Sequence, residues 1–266
     1  MTIVITNTPT SNDSLPTVLF QNVFASGILS ASSEATGYPK ENILDESTVK
    51  YWQPTSRPAT ISVDYGTTTT VDALAVVAHN LWTCGCSVRL QTSTDGVTFT
   101  DALAVVTPTD NTTILQLFTP ITSRYFRVRI TGGTANPSIG CILLGSRFTF
   151  PAGVKAPYTP VWLSQQYELL TSTTLGGQFL GNKVLRQGGR TTINLVSFER
   201  TFAESSLLPF REHYNSGKAF IWAAGPSVFS KDLGYVWRTD SSTMAPTFDE
   251  NGSWMSVAME VNAYGE

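Results

Sequence analysis

The sequence predicts a mainly β chain in two parts, an all-β unit of sandwich or barrel type followed by a smaller α+β domain. Three observations carry this expectation. Apolar and polar residues alternate through Ile61, Ser62, Val63, Asp64 and Tyr65, and again from Phe126 to Ile130, the period of strands with one buried face. Turn signals fall between such runs: Asp64-Tyr65-Gly66, Thr94-Asp95-Gly96 and Thr131-Gly132-Gly133. The best helix candidate runs from Thr201 to Gly217, with strand-like segments before and after it.

The length of 266 residues suits two modules, since domains commonly hold about 100–200 residues. Charged residues make up 14% and the formal net charge is −3. Residues 1–150 hold eight basic against ten acidic side chains, and residues 151–266 hold nine against ten. No basic patch for nucleic acid stands out. The opening Met1-Thr2-Ile3-Val4-Ile5-Thr6-Asn7 lacks the basic and apolar regions of a secretory signal. No run approaches the ~18 apolar residues of a membrane span. Three cysteines, Cys84, Cys86 and Cys141, cannot make a complete disulfide framework, so maturation in a reducing cytoplasm is expected.

Along the chain, residues 1–21 are expected to form an N-terminal arm and 22–150 the all-β unit. Pro151, Pro157 and Pro160 withhold backbone donors and mark 151–166 as a linker. The second domain then spans 167–266, with strands expected around 167–172, 190–198, 218–223 and 254–263. In the helix candidate, Thr201 and Glu204 have capping-box spacing, Leu207, Phe210 and Tyr214 share a face, and Asn215 to Gly217 supply the stop. Pro209 does not fit a helix interior, which offers a later start near Ser206 as the alternative.

Catalytic chemistry finds no foothold. His79 and His213 are far apart and in different expected modules, without a neighbouring nucleophile and orienting acid. Cys84-Gly85-Cys86 lacks the second ligand pair that zinc needs. The glycine pairs near 176 and 188 lack the following helix of a phosphate-binding loop. A carboxylate pair, Asp249 and Glu250, sits near Trp254 and is the basis of a rival reading as a small glycosidase or esterase. No catalytic residue is assigned. Trp52 is expected in the core, and Arg127 and Arg129 on a solvated strand face.

Several runs, in order, resemble the discoidin domain (coagulation factor 5/8 C-terminal type). These are Asn22 to Gly27, Leu29 to Glu34, Pro39 to Asp45 with Tyr51-Trp52, Ile61 to Gly66, Val71 to Val76, Val88 to Phe99 and Arg124 to Ile130. The resemblance covers about 22–148 and implies a β-sandwich that binds glycans, phospholipid head groups or proteins through loops at one end. By position it makes Tyr38, Asn80 and Trp82 candidate ligand contacts. Some members hold a structural calcium near the segment matching Asn42 to Trp52, which makes Asn42 and Asp45 the candidate metal ligands. Glu46 stands where the family often has glycine, so no cofactor is expected here.

The second half, with Thr191 to Glu199 before the helix and Lys218 to Trp222 after it, resembles in pattern and composition the tail-tube-like fold of bacteriophage tail and baseplate proteins. That resemblance implies a non-enzymatic ring subunit of a distal-tail type, assembled in a host cytoplasm and resident in the virion. Its partners would be copies of itself, other tail or baseplate proteins and, through the first module, host-surface glycan. The glycine-rich stretch from Leu175 to Gly189, with Leu175, Gly176, Gly177, Gly188 and Gly189, is the candidate assembly arm; an ordinary hairpin loop is the alternative. The rival to the whole is a carbohydrate-binding adhesin or accessory glycan-binding module outside any virion.

Overall fold

The computed structural model of the chain describes residues 2–6, 11–248 and 252–265. The early elements are strands β1 (Thr2–Ile5) and β2 (Thr17–Leu19), helix α1 (Val23–Ser26), and strands β3 (Ile28–Ala31) and β4 (Ala59–His79). A one-turn helix α2 (Leu81–Cys84) leads to β5 (Cys86–Ser93), β6 (Thr100–Asp101), β7 (Ile114–Gly132), β8 (Ile139–Gly145) and β9 (Phe148–Thr149). Then come β10 (Gln165–Thr173), β11 (Phe179–Glu199), α3 (Arg200–Glu204), α4 (Leu208–Asn215), β12 (Phe220–Ala223), β13 (Leu233–Arg238), β14 (Thr247–Phe248) and β15 (Trp254–Ala263). The chain divides into two compact units: residues 2–151 with 219–233, and residues 152–218 with 234–265.

The first unit is organised by two very long strands. β4 and β7 pair antiparallel from Ala59↔Ile130 to Val76↔Ile114, with the register broken between Asp64 and Thr69. Before the break β4 lies between β3 and β7; beyond it, β4 lies between β7 and β8. Each long strand therefore serves both layers of a sandwich, bending where the polar run Gly66 to Thr70 interrupts the apolar alternation. Gly66 takes a positive φ of 86° at that bend. Ile61, Val63, Val88, Leu90, Phe126, Val128 and Ile130 fill the core from one layer, and Val71, Leu74, Val76, Ile114, Phe118, Ile142 and Leu144 from the other. Trp52 joins them fully buried, its Nε1 donating to the Ser33 carbonyl at 3.1 Å, so the expected core role holds.

Residues 1–21 were expected as an arm, and the described part of them is instead built into this unit. β1 runs parallel to β7, and β2 pairs with both β9 and β12. Asp13, almost fully buried, forms an ion pair with Arg147, whose Nε also lies 3.3 Å from Asp72 and whose backbone N–H donates to Asp72 at 2.7 Å. Segment 219–233 also belongs to the first unit, not to the second as the sequence boundaries had it. Every residue of β12 is buried, and Trp222 packs 6.2 Å from Phe150.

In the second unit β11 is the central strand. Its C-terminal part pairs with β15 from Gly189↔Ala263 onward, while residues 179–188 pair only with β10. Ile193, Leu195 and Phe198 of β11, Phe210 and Tyr214 of α4, and Val257, Met259 and Val261 of β15 are buried. The Tyr214 hydroxyl reaches the Glu260 carbonyl at 2.8 Å, tying helix to sheet. The expected helix is two helices. The chain breaks between them at Ser205 to Leu207, and Pro209 falls in the first turn of α4, where its missing N–H costs nothing. The expected capping box is absent: Glu199 is the cap residue of α3, and Glu204 forms an ion pair with Arg200.

The candidate arm residues separate. Leu175, Gly176 and Gly177 form the exposed tip of a β10–β11 ribbon, with Gly177 at φ 81° in the turn. Gly188 and Gly189 lie at its root; a Cβ on Gly189 would come within 2.7 Å of Ser164 Oγ, so that position serves close sheet packing and not the arm.

Replacing Trp52 with alanine removes one of the two fully buried tryptophans of the first unit. Trp52→Ala is expected to destabilise the protein by about 3–5 kcal/mol, measured as a lowered urea midpoint.

Candidate functional site at the loop end of the sandwich

β4 starts and ends, β5 and β8 start, and β7 both starts and ends at the same end of the sandwich, because the two long strands fold over. Four connections gather there: residues 32–58, 80–85, 107–113 and 133–138. They are held by hydrogen bonds with little slack. Thr134 N–H donates to the Cys84 carbonyl at 2.8 Å, and the Asn111 amide bridges Thr83 Oγ1 at 2.6 Å and its N–H at 3.2 Å. Arg57 Nη1 donates to the carbonyls of Gly132, at 3.0 Å, and Gly133. Gly133 must be glycine twice over: its φ is 82°, and a Cβ there would lie 2.4 Å from Cys86 Sγ.

Trp82 is 55% exposed at the turn of α2, while its neighbour Leu81 is fully buried and anchors that turn. Gly85 closes it in a left-handed conformation, donating to the Leu81 and Trp82 carbonyls. Asn80, the second candidate contact, bonds to the neighbouring loop. Its Oδ1 accepts the Ser138 N–H at 2.7 Å and its own N–H donates to the Ser138 carbonyl at 3.2 Å, so the residue splices two loops together. Tyr38, partly exposed, stacks on Tyr51 with ring centroids 4.5 Å apart and 13° between planes. The Tyr38 and Trp82 loops meet at the start of β8, where Trp52 pairs with Ile139 next to Ser138.

The candidate metal residues form a different kind of turn. Asn42 Nδ2 donates to the Tyr51 carbonyl at 2.8 Å. The Asp45 carboxylate accepts the Ser47 N–H at 2.9 Å and pairs with Lys50 Nζ at 2.5 Å, and that lysine is the main reason its pKa is lowered. The Asp45 carbonyl accepts the Cys141 thiol at 3.0 Å. The Asp45 carboxylate and carbonyl are thus engaged by Lys50 and Cys141 and are not gathered into the oxygen cage that calcium requires. Among the described residues there is no group of three or more His, Cys, Asp or Glu placed to hold a metal.

Beside these loops lies a shallow depression of about 630 Å³ lined by Thr55, Arg57, Arg129, Thr131, Gly132 and Asn136. Arg129 lines this depression, whereas Arg127, two residues earlier on the same face, is spent on Gln91 Oε1 at 2.8 Å and on the Phe99 ring at 3.8 Å. The alternation identified both as outward-facing. Only the fold, by bringing Arg57 across from 75 residues away to the end of β7, separates the arginine that lines a site from the one that braces a strand.

The remaining titratable groups at this end are structural. His79 is buried, its Nδ1 accepting the Leu81 N–H at 3.3 Å, and burial pulls its pKa down to about 4 against the opposing Thr112 backbone and Asp110 charge. Burial raises the Cys84 and Cys86 thiols, and all three cysteines are free. His213 lies in α4, so the two histidines are in different units. Asp249 and Glu250 lie outside the described residues.

Comparison with known proteins gives the first unit a family counterpart. Residues 28–143 match the F5/8 type C domain family. No curated protein matches the chain. Among solved structures, the chain is similar to CpGH89CBM32-5 from Clostridium perfringens, in complex with GalNAc-β-1,3-galactose, at 13% identity and a TM-score of 0.41 over 48% of this chain and 99% of that one. It is similar to chitosan-binding module 1 of a chitosanase/glucanase from Paenibacillus sp. IK-5 at 22% identity and a TM-score of 0.40, over 47% of this chain and 98% of that one. A Ruminococcus gnavus GH29 fucosidase in complex with fucose aligns at 18% identity and a TM-score of 0.41, over 49% of this chain and 27% of the fucosidase.

His79 gives a pH dependence with a definite sign. Its folded pKa lies below the ordinary 6.5, so the unfolded chain binds the proton more readily. Stability is full above pH ~6.5 and falls as the pH drops toward 4, by on the order of 3 kcal/mol. Urea midpoints across that window should fall for the native chain and stay nearly level for His79→Gln.

Proposed function

We propose that the first unit is a non-catalytic carbohydrate-binding module that takes its ligand at the loop end of the sandwich, with Trp82 as the stacking platform. The observation that carries this is an exposed tryptophan fixed on hydrogen-bonded loops within the segment that matches the F5/8 type C domain family. An aromatic ring held rigid and solvent-facing is an apolar face ready for the C–H face of a sugar at little entropic cost. Arg129 and the hydroxyls of Thr55 and Thr131 supply donors for hydroxyl or carboxylate groups. Asn80 acts by positioning the loop. Tyr38, already stacked on Tyr51, contributes shape to the neighbouring loop.

A ring subunit of a phage tail, the leading expectation from the sequence, is the second reading. The apolar exposed ribbon of the second unit favours it, since that ribbon suits assembly more than sugar; the comparisons supply no counterpart for a virion role. In either setting the first unit would be the part that meets glycan.

A glycan array followed by calorimetry on the best ligand checks the proposal. Trp82→Ala should weaken binding about tenfold or more, roughly 1.4 kcal/mol, with an unchanged urea midpoint. Arg129→Ala should weaken acidic saccharides more than neutral ones. Equal affinity in Trp82→Ala and the native chain, or no glycan binding at all by the native chain, would sink it.

A further inference from the structure

The β10–β11 ribbon of the second unit is built against ordinary rules for a solvent-facing hairpin. Tyr167, Leu169, Leu170, Leu175, Phe179 and Leu180 are each about half exposed or more, and Val184 and Leu185 follow on the return strand. Leu169 pairs directly across from Val184 and Thr173 across from Phe179, while Tyr167 and Leu170 face Gln187 and Lys183. Summed over both faces of the ribbon, the surface these residues expose is on the order of 900 Å².

The edge is equally unguarded. β10 is the terminal strand of its sheet, nine residues long, Gln165 to Thr173, with no lysine, no proline and a single charge, Glu168. Natural edge strands of that length are blunted by charges, proline or a cover, because their free N–H and C=O groups template pairing with another chain.

We infer that β10 is a self-association edge, joining two copies of this chain antiparallel about a two-fold axis at Leu169. The occupant is a second copy because the strand is complementary to itself. With Leu169 opposite the partner's Leu169, Tyr167 faces the partner's Thr171 and Glu168 faces the partner's Leu170. No like charges meet, and an aromatic sits across from a β-branched residue, a favourable cross-strand pair. Such a closed two-fold contact is the commonest form of homo-oligomer. Joining the edges also merges the Tyr167 and Leu169 rows of both copies into one continuous apolar strip. The inference stands apart from the carbohydrate proposal, which concerns the other unit, and the two can fail separately.

Sedimentation velocity on the full chain at micromolar concentration should show a dimer. Leu169→Lys places two ammonium groups together on the axis and should reduce the mass to that of a monomer, while circular dichroism stays unchanged because the side chain is exposed. Leu169→Cys tests the register without adding charge: mild oxidation should give a disulfide-linked dimer, since facing strand residues lie about 4.5–5.5 Å apart, within disulfide reach. The three native thiols are buried, so Leu175→Cys at the ribbon tip is the control and should stay monomeric on the same gel. A native chain that is monomeric throughout, a dimer that survives Leu169→Lys, or cross-linking at Leu175→Cys in place of Leu169→Cys overturns the inference. A monomer that instead gains an added strand from a foreign peptide overturns it as well, and makes β10 a receptor for other chains.

Discussion

The continuous pairing of β4 with β7 is the constraint on which the first unit depends. Two strands of 21 and 19 residues, bonded along nearly their whole length and bent together near Asp64 to Thr69, build half of each layer. Strands β1, β3, β5 and β8 each pair with one of the two, and β6 adds to β5. Because the pair doubles back, its ends come to one place, and that is why four loops meet there. The bend is stabilised on its outer side by Arg124, whose Nε and Nη2 reach the two Asp64 oxygens at 2.7 and 2.8 Å, a bidentate pair that lowers the Asp64 pKa to about 2. Gly66 receives the remaining local bond, donating to Asp64 at 2.8 Å.

Much of this was legible in the sequence. The alternation of Ile61 to Tyr65 and Phe126 to Ile130 gave the strands and their buried faces, and the Asp95-Gly96 turn is present as expected, with Gly96 at φ 76° and the Asp95 carboxylate accepting the N–H groups of Val97 and Thr98. What periodicity could not supply was that Ile61 and Val76 lie on one strand. The intervening threonines look like a loop, and only the pairing with Ser123 and Thr122 keeps them extended. The described arm residues went unrecognised for a similar reason. Val18 and Leu19 are too few to announce a strand, and Asp13 reads as a surface acid until Arg147, 134 residues away, is brought to it.

At the candidate site the same split applies. Trp82 entered as a candidate contact by its position in the family resemblance, and the fold places it exposed at the turn of α2. The role of Asn80 was not, since an asparagine's local sequence says nothing of which distant backbone it will hold. Arg57 and Arg129 were invisible as a pair, being 72 positions apart. In the second unit, the helix around Pro209 shows the reverse case: local chemistry stated the conflict openly, and the fold resolved it by dividing the helix.

The discontinuity of the first unit bears on how the chain is made. Its sandwich segment is complete by residue 151, yet β12 arrives only after the β10–β11 ribbon and both α3 and α4 have been synthesised. Until then Val18, Leu19 and Phe150 lack the strand that buries Trp222 in their midst, and an apolar seam stays open on a nascent chain. Residues 152–218 of the second unit are thus translated during an interval in which the first unit is unfinished, and any cut made near residue 150 to isolate the sandwich would leave that seam permanently wet.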